Sequence, residues 1–171
     1  AAAVKADAFT DLYVLPLADP AAGSAATATI TVSGPATSAG TLALYIAGRS
    51  LQVGVAVTDT ATAIATKIAA AVNGNSSLPV TAAAAAAVVT LTAKNKGQTG
   101  NDLDARVNYY GETLPAGTTY AITAFTGGTG NPSIGAALAE LGDSWFQAWA
   151  TAYTDTANLV LIENDQYERW G

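Results

Sequence analysis

The sequence predicts an α+β fold: a β-rich module of about six strands and one helix, inserted into a partial α/β unit of β-α-β-α order. Three observations predict it. Between residues 25 and 130 the apolar residues fall mostly in alternating runs, the mark of strands with one face buried. Outside that stretch, 11–19 carries a continuous apolar run and 145–153 carries aromatics at both parities, as in a sheet covered on both faces. Strong helix starts stand at 131–132 and at 154–155. The boundaries follow: 1–24 and 131–171 form the partial α/β domain, and 25–130 the inserted β-rich domain.

The elements are justified in order. Leu12, Tyr13, Val14 and Leu15 suit a buried strand, with Pro16 near its end because proline donates no ladder hydrogen bond. Residues 20–26 are small and linker-like. Threonine alternates with small or apolar residues over 27–33, a strand signal ended by Gly34-Pro35. Leu42, Leu44 and Ile46 share one face of 41–47. Gly48-Arg49 offers a turn, and Leu51, Val53, Val55 and Val57 alternate on the return, which makes a hairpin. The period then changes: Ile64, Ile68 and Val72 recur every four residues, with Ala61, Ala65 and Ala71 beside them. Thr58 or Asp59 is the expected cap of that helix and Gly74 its stop.

The alanines 82–87 favour helix by propensity, but Pro79 before them and the Val/Thr/Leu run 88–92 after them favour strand. A second hairpin is expected, its turn inside the alanines. Further strands are expected at 103–110 and 118–125. Gly127-Gly128-Thr129-Gly130 reads as a flexible return hinge. Asn131 as cap and Pro132 in the first turn start a helix carrying Ile134, Leu138 and Leu141 and ending at Gly142. Residues 145–153 then form a strand, and Thr154 or Asp155 caps a last helix carrying Leu159, Ile162 and Trp170. Two lone parallel strands cannot cover both their faces, so the α/β part is expected to be incomplete here, with further chain or a partner covering it.

Composition narrows the function. The 171 residues include no histidine, cysteine or methionine. The commonest acid–base catalyst, the best nucleophile and the main transition-metal ligands are therefore missing. No enzyme activity and no cofactor are expected. The missing start methionine fits a processed or excised piece. Net charge is −6, and the five basic residues of 40–110 are scattered, which is no nucleic-acid footprint. No apolar run reaches the roughly 18–20 residues a membrane helix needs.

Four constellations stand out for their chemistry. The Gly127–Asn131 turn lacks the Lys-Ser/Thr of a phosphate-binding loop and the three-glycine spacing of a dinucleotide loop. Asp102 and Asp104, at strand spacing, share a face suited to acid–base work or Ca²⁺. Arg106 lies two residues further on that face, and mutual neutralisation is the simpler account. The eight serines have no histidine to activate them and no Ser-x-x-Lys pattern. Trp145, Trp149 and Trp170, with Phe146 and Tyr153, crowd the last part of the chain. They read as ordinary core or as a contact with a neighbouring subunit or domain. A cell-surface or carbohydrate-binding β module is the alternative reading, suited by the Thr/Ala/Gly-rich strands. It needs exposed, coplanar rings on the insert.

The run 34–49 (GPATSAGTLALYIAGR), continuing at 52–56 (QVGVA), resembles the tail sheath proteins of Mu-like contractile-tailed phages. So do 11–20, 91–93 with Lys96-Gly97, 100–102, 106–112 (RVNYYGE) and 127–132. The similarity runs from Phe9 to Gly171. The resemblance implies a virion structural protein whose subunits stack around a tail tube and contract to drive it through the host envelope. It implies an α/β core domain near the tube, an outward-facing insert, and terminal arms that join neighbours by strand addition. Other sheath subunits and the tail tube would be the partners, with neither nucleic acid nor membrane. Assembly would take place in the bacterial cytoplasm. The arms and most of the core domain have no counterpart here, so this piece is expected to stand as a monomer and not to contract.

Overall fold

The computed structural model describes residues 14–142, 144 and 148–170. They divide into two compact units, one of residues 19–131 and one of residues 1–18 with 132–171. The larger unit holds two antiparallel sheets. Its strands are β1 (Ala25–Ser33), β2 (Gly40–Ile46), β3 (Arg49–Val55), β4 (Val80–Ala85), β5 (Val88–Lys96), β6 (Ala105–Val107) and β7 (Thr119–Ile122). One sheet has the order β4-β5-β1-β7 and the other β3-β2-β6. Helix α1 (Ala61–Gly74) packs on strands of both sheets.

Alternation in the sequence becomes alternation in burial. Along β1, Ala26, Ala28, Ile30 and Val32 are buried, while Thr27, Thr31 and Ser33 face solvent. Ile30 lies opposite Val89, and Ala28 opposite Leu91, so the buried faces of β1 and β5 coincide. Leu42, Leu44 and Ile46 of β2, Val53 and Val55 of β3, and Ile64, Ile68 and Val72 of α1 complete one core. Each fully buried Leu, Ile or Val there contributes about 1.5–3 kcal/mol of transfer free energy.

The β2–β3 turn is Ala47-Gly48, both at positive φ (50° and 73°), the pair of left-handed residues that a two-residue hairpin of native twist needs. The alanine run does form a hairpin: Ala85 pairs with Val88, and Ala86 takes φ 50° in the turn. Helix α1 is capped by Thr60, one residue beyond the expected pair, whose Oγ1 accepts from Ala63 N–H at 3.2 Å. Thr58 instead takes φ 73°, and Asp59 accepts from Ala56 N–H at 2.7 Å, closing the turn before the helix. The strands expected at 103–110 and 118–125 shrink to β6 and β7.

The glycine segment 127–130 is not a loose hinge. Ser24 and Thr129 exchange backbone hydrogen bonds at 3.0 and 3.1 Å, and Thr27 and Thr126 pair likewise at 2.8 and 3.0 Å. The Asn101 side chain accepts from Gly128 N–H at 2.8 Å and donates to Gly128 O at 3.0 Å. A Cβ at Gly128 would lie 2.4 Å from Gly97 O, so only glycine fits this seam. The seam zips the start of the unit to its end.

The smaller unit, in its described residues, holds α2 (Gly135–Glu140) and α3 (Thr156–Trp170) and no strand. The expected strand at 11–19 is irregular from residue 14 onward, and the expected strand at 145–153 is irregular over 148–153. Residues 11–13 and 145–147 lie outside the described residues. The physical reason is that a strand needs a partner ladder for its backbone, and neither segment has one among the described residues. The expected cap of α2 is also corrected. Asn131 turns away to accept from Gln98 N–H at 2.8 Å, and Ile134 precedes the helix without a side-chain cap. Asp155 does cap α3, accepting from Asn158 N–H at 3.1 Å.

Candidate functional site

A cluster of three tyrosines, two of them exposed, lies on the outer side of the β3-β2-β6 sheet. Tyr45 of β2 points there, opposite the buried face formed by Leu44 and Ile46. After β6 the chain makes a tight turn, with Asn108 at φ 53° and Gly111 at φ 79°, closed by Gly111 N–H to Asn108 O at 3.2 Å. Asn108 N–H is anchored on Ala43 O of β2 at 3.0 Å. The turn brings Tyr109 and Tyr110 beside Tyr45. Ring centroids are 6.1 Å (Tyr45–Tyr109), 5.3 Å (Tyr45–Tyr110) and 4.9 Å (Tyr109–Tyr110).

Glu112 locks this arrangement. One carboxylate oxygen accepts from the Tyr45 hydroxyl, and the other accepts from Tyr110 N–H at 3.0 Å. The bond to Tyr45 holds the Glu112 carboxyl below its ordinary range. The same bond, with some desolvation, pushes the Tyr45 phenol up to about 12. The Arg106 guanidinium lies 4.8 Å from the Tyr109 ring centroid, over its negative face, and pairs with Asp104 at 2.7 Å. Tyr109 and Tyr110 nevertheless remain 52% and 76% exposed. Rings fixed in place yet open to solvent supply contact area at small entropic cost.

The sequence-predicted residues are placed differently. Asp102 ends a 3₁₀ turn (Gln98–Asp102), while Asp104 lies just before β6, so they do not share a strand face. Asp104 pairs with Arg106, the neutralisation expected. Among the described residues no group of three His, Cys, Asp or Glu could hold a metal ion, and no helix is long and apolar enough to cross a membrane. Trp149 is half-buried in irregular chain. Trp145 lies outside the described residues, as does the side chain of Trp170. The tyrosine cluster was missed because Tyr45 and Glu112 are 67 residues apart. Its one sequence signal is the doublet Tyr109-Tyr110 set between Asn108 and Gly111, turn-forming residues that put adjacent aromatics at a loop tip.

Residues 21–131 match the family of the phage tail sheath protein beta-sandwich domain, which is most of the chain and the extent of the two-sheet unit. The chain belongs to the phage tail sheath family. Within known proteins it is similar to the Mu-like prophage FluMu tail sheath protein of Haemophilus influenzae, at 40% identity over 162 residues. That match covers 94% of this chain and 33% of the relative, so the chain spans about a third of the length of the sheath protein it matches. The family is structural, in keeping with a site made of packed rings and an ion pair. The two sheets sharing one core are the sandwich, and the tyrosine turn decorates its outer side.

Proposed function

We propose that this chain is part of the subunit of a contractile phage tail sheath, with residues 25–130 as an outward-facing insert. Residues 1–24 and 131–171 then belong to an α/β core domain near the tail tube. The observation that carries the reading is the similarity to a tail sheath protein across nearly the whole chain. The partners are other sheath subunits and the tube, and the place is the virion tail, assembled in the host cytoplasm. The chain does no catalysis in this role. Contraction draws on contacts that differ between two array states, because only a difference between states shifts a population. Trp145, Trp149 and Trp170 lie in the core-domain part and are proposed to meet neighbouring subunits or domains. Tyr109 and Tyr110 form the corresponding contact surface of the insert.

The glycan-binding alternative requires rings in one plane. The exposed pair Tyr109–Tyr110 stands at 79°, edge to face, which offers no flat platform for a pyranose. Electron microscopy of the full-length protein tests the main reading. Rings or tubes are expected, whereas smooth, soluble monomers under all assembly conditions would sink it. Saturable sugar titration by this chain, lost on Tyr110→Ala, would instead establish the alternative.

A further inference from the structure

Strand β4 is the outermost strand of its sheet, and its outer edge is not left bare. The phase of the ladder follows from one bond: Lys94 N–H donates to Pro79 O at 2.8 Å. Antiparallel pairs alternate between bonded and non-bonded, so residues 81, 83 and 85 bond inward to β5. The backbone groups of Val80, Ala82 and Ala84 therefore point outward. At Ala82 both are taken by one side chain of α1. Asn73 Nδ2 donates to Ala82 O at 2.7 Å, and Ala82 N–H donates to Asn73 Oδ1 at 2.9 Å. The amide presents a donor and an acceptor to Ala82 as a neighbouring strand would.

We propose that Asn73 guards this edge, keeping a second copy of the chain from adding its own β4 there. Edges are ordinarily protected by charge, proline, shortness or a covering helix or loop, and here the C-terminal end of α1 brings Asn73 to the edge. Strand β3 begins with Arg49, β6 is three residues long and includes Arg106, and β7 is four residues long. β4 is VTAAAA, six residues with neither charge nor proline. Its small side chains put no steric obstacle between two such strands. Antiparallel β4–β4 pairing would be self-complementary about a two-fold axis, which makes another copy the fitting occupant. Asn73 interrupts that template at its central outward residue and leaves a single outward residue on either side, Val80 and Ala84, too short a stretch to hold a strand. The inference is independent of the sheath reading, since it concerns the isolated chain in solution.

Two measurements on the 171-residue chain test it. Amide exchange in the unaltered protein should be several-fold slower at Ala82 than at Ala84. Equal, fast exchange at both would mean that no guard operates. Sedimentation of Asn73→Ala should show a monomer–dimer equilibrium shifting with concentration, beyond that of the unaltered chain, and Asn73→Ala/Ala84→Lys should reverse it by placing a charge on the edge. Alanine has the higher helix propensity at this position, so α1 should survive the change. A folded Asn73→Ala that sediments as the unaltered chain does, or a dimer indifferent to Ala84→Lys, overturns the proposal.

Discussion

The two units of the chain satisfy their own side chains to different degrees. In residues 19–131, alternating strands and one helical stripe converge on a shared core in which Ile30, Leu42, Leu44, Ile64 and Leu91 are fully buried. In the described part of the other unit, Pro132, Ile134 and Leu138 are the buried apolar residues, and Leu159 and Val160 of α3 remain 45% and 44% exposed. Its order rests on polar devices. Asn158 is buried, accepts from Ile134 N–H at 3.0 Å, and donates to Pro132 O at 3.1 Å and to Asp155 at 2.9 Å. Arg169 grips Asp165 through two bonds at 2.7 and 2.9 Å, and donates to Ser144 O at 2.8 Å. The difference teaches that two units of one chain can be ordered by different means, residues 19–131 by a shared hydrophobic core and the described part of the other by polar bonds.

The largest expected effect lies in the sandwich. Ile30→Ala should cost about 2–5 kcal/mol in urea denaturation, the range for a truncated core aliphatic. Leu159→Ala should change stability by no more than about 0.5 kcal/mol, as surface substitutions do. Equal costs would erase the contrast between the units. Asn158→Ala comes next, at about 1–3 kcal/mol for leaving buried backbone groups without partners. Its signature is local: amide exchange at Ile134 should quicken while that of β1 and β5 holds.

A gain is expected at Ala86, which takes φ 50° in the alanine hairpin. Ala86→Gly should raise stability by about 0.5–1 kcal/mol, because glycine carries no left-handed penalty. An unchanged or lowered melting temperature would refute it.

The smallest effect concerns the tyrosine turn and is read by titration. Tyr45 has its folded pKa raised to about 12, so its contribution to stability is whole below pH 10.0 and is lost as pH climbs toward 12. Glu112 has its folded pKa lowered, so its contribution is whole above the unfolded carboxyl value and lost as pH falls through the folded one. One of the seven tyrosines should therefore ionise near 12 by ultraviolet absorbance, and Glu112→Gln should return it toward 10.0. Absence of any tyrosine ionising near 12 would show that Glu112 does not hold the turn.

What the sequence made legible was local. The hairpin at Ala47-Gly48 follows from the paired alternation on its two sides. The alanine hairpin could be read because Val88, Val89 and Leu91 carry strand preference that six alanines do not oppose strongly. Helix α1 declares itself by period, although its cap shifted to Thr60 because Asp59 was drawn into the preceding turn. What stayed hidden was tertiary. The bond from Tyr45 to Glu112 and the grip of Asn101 on Gly128 join residues distant in sequence, and no periodicity encodes them. The expected strands at 11–19 and 145–153 failed over their described portions for the complementary reason: apolar content marks a segment for burial but does not supply a pairing partner.

The seam at Ser24 and Thr129 has a consequence for how such a chain can change over time. The polypeptide enters the sandwich and leaves it on adjacent rungs, separated by about the 5 Å spacing of neighbouring strands. A recipient protein therefore has to part its backbone by little more than that width to accept the whole cassette. Exchange of one such cassette for another would leave the recipient's own architecture where it was.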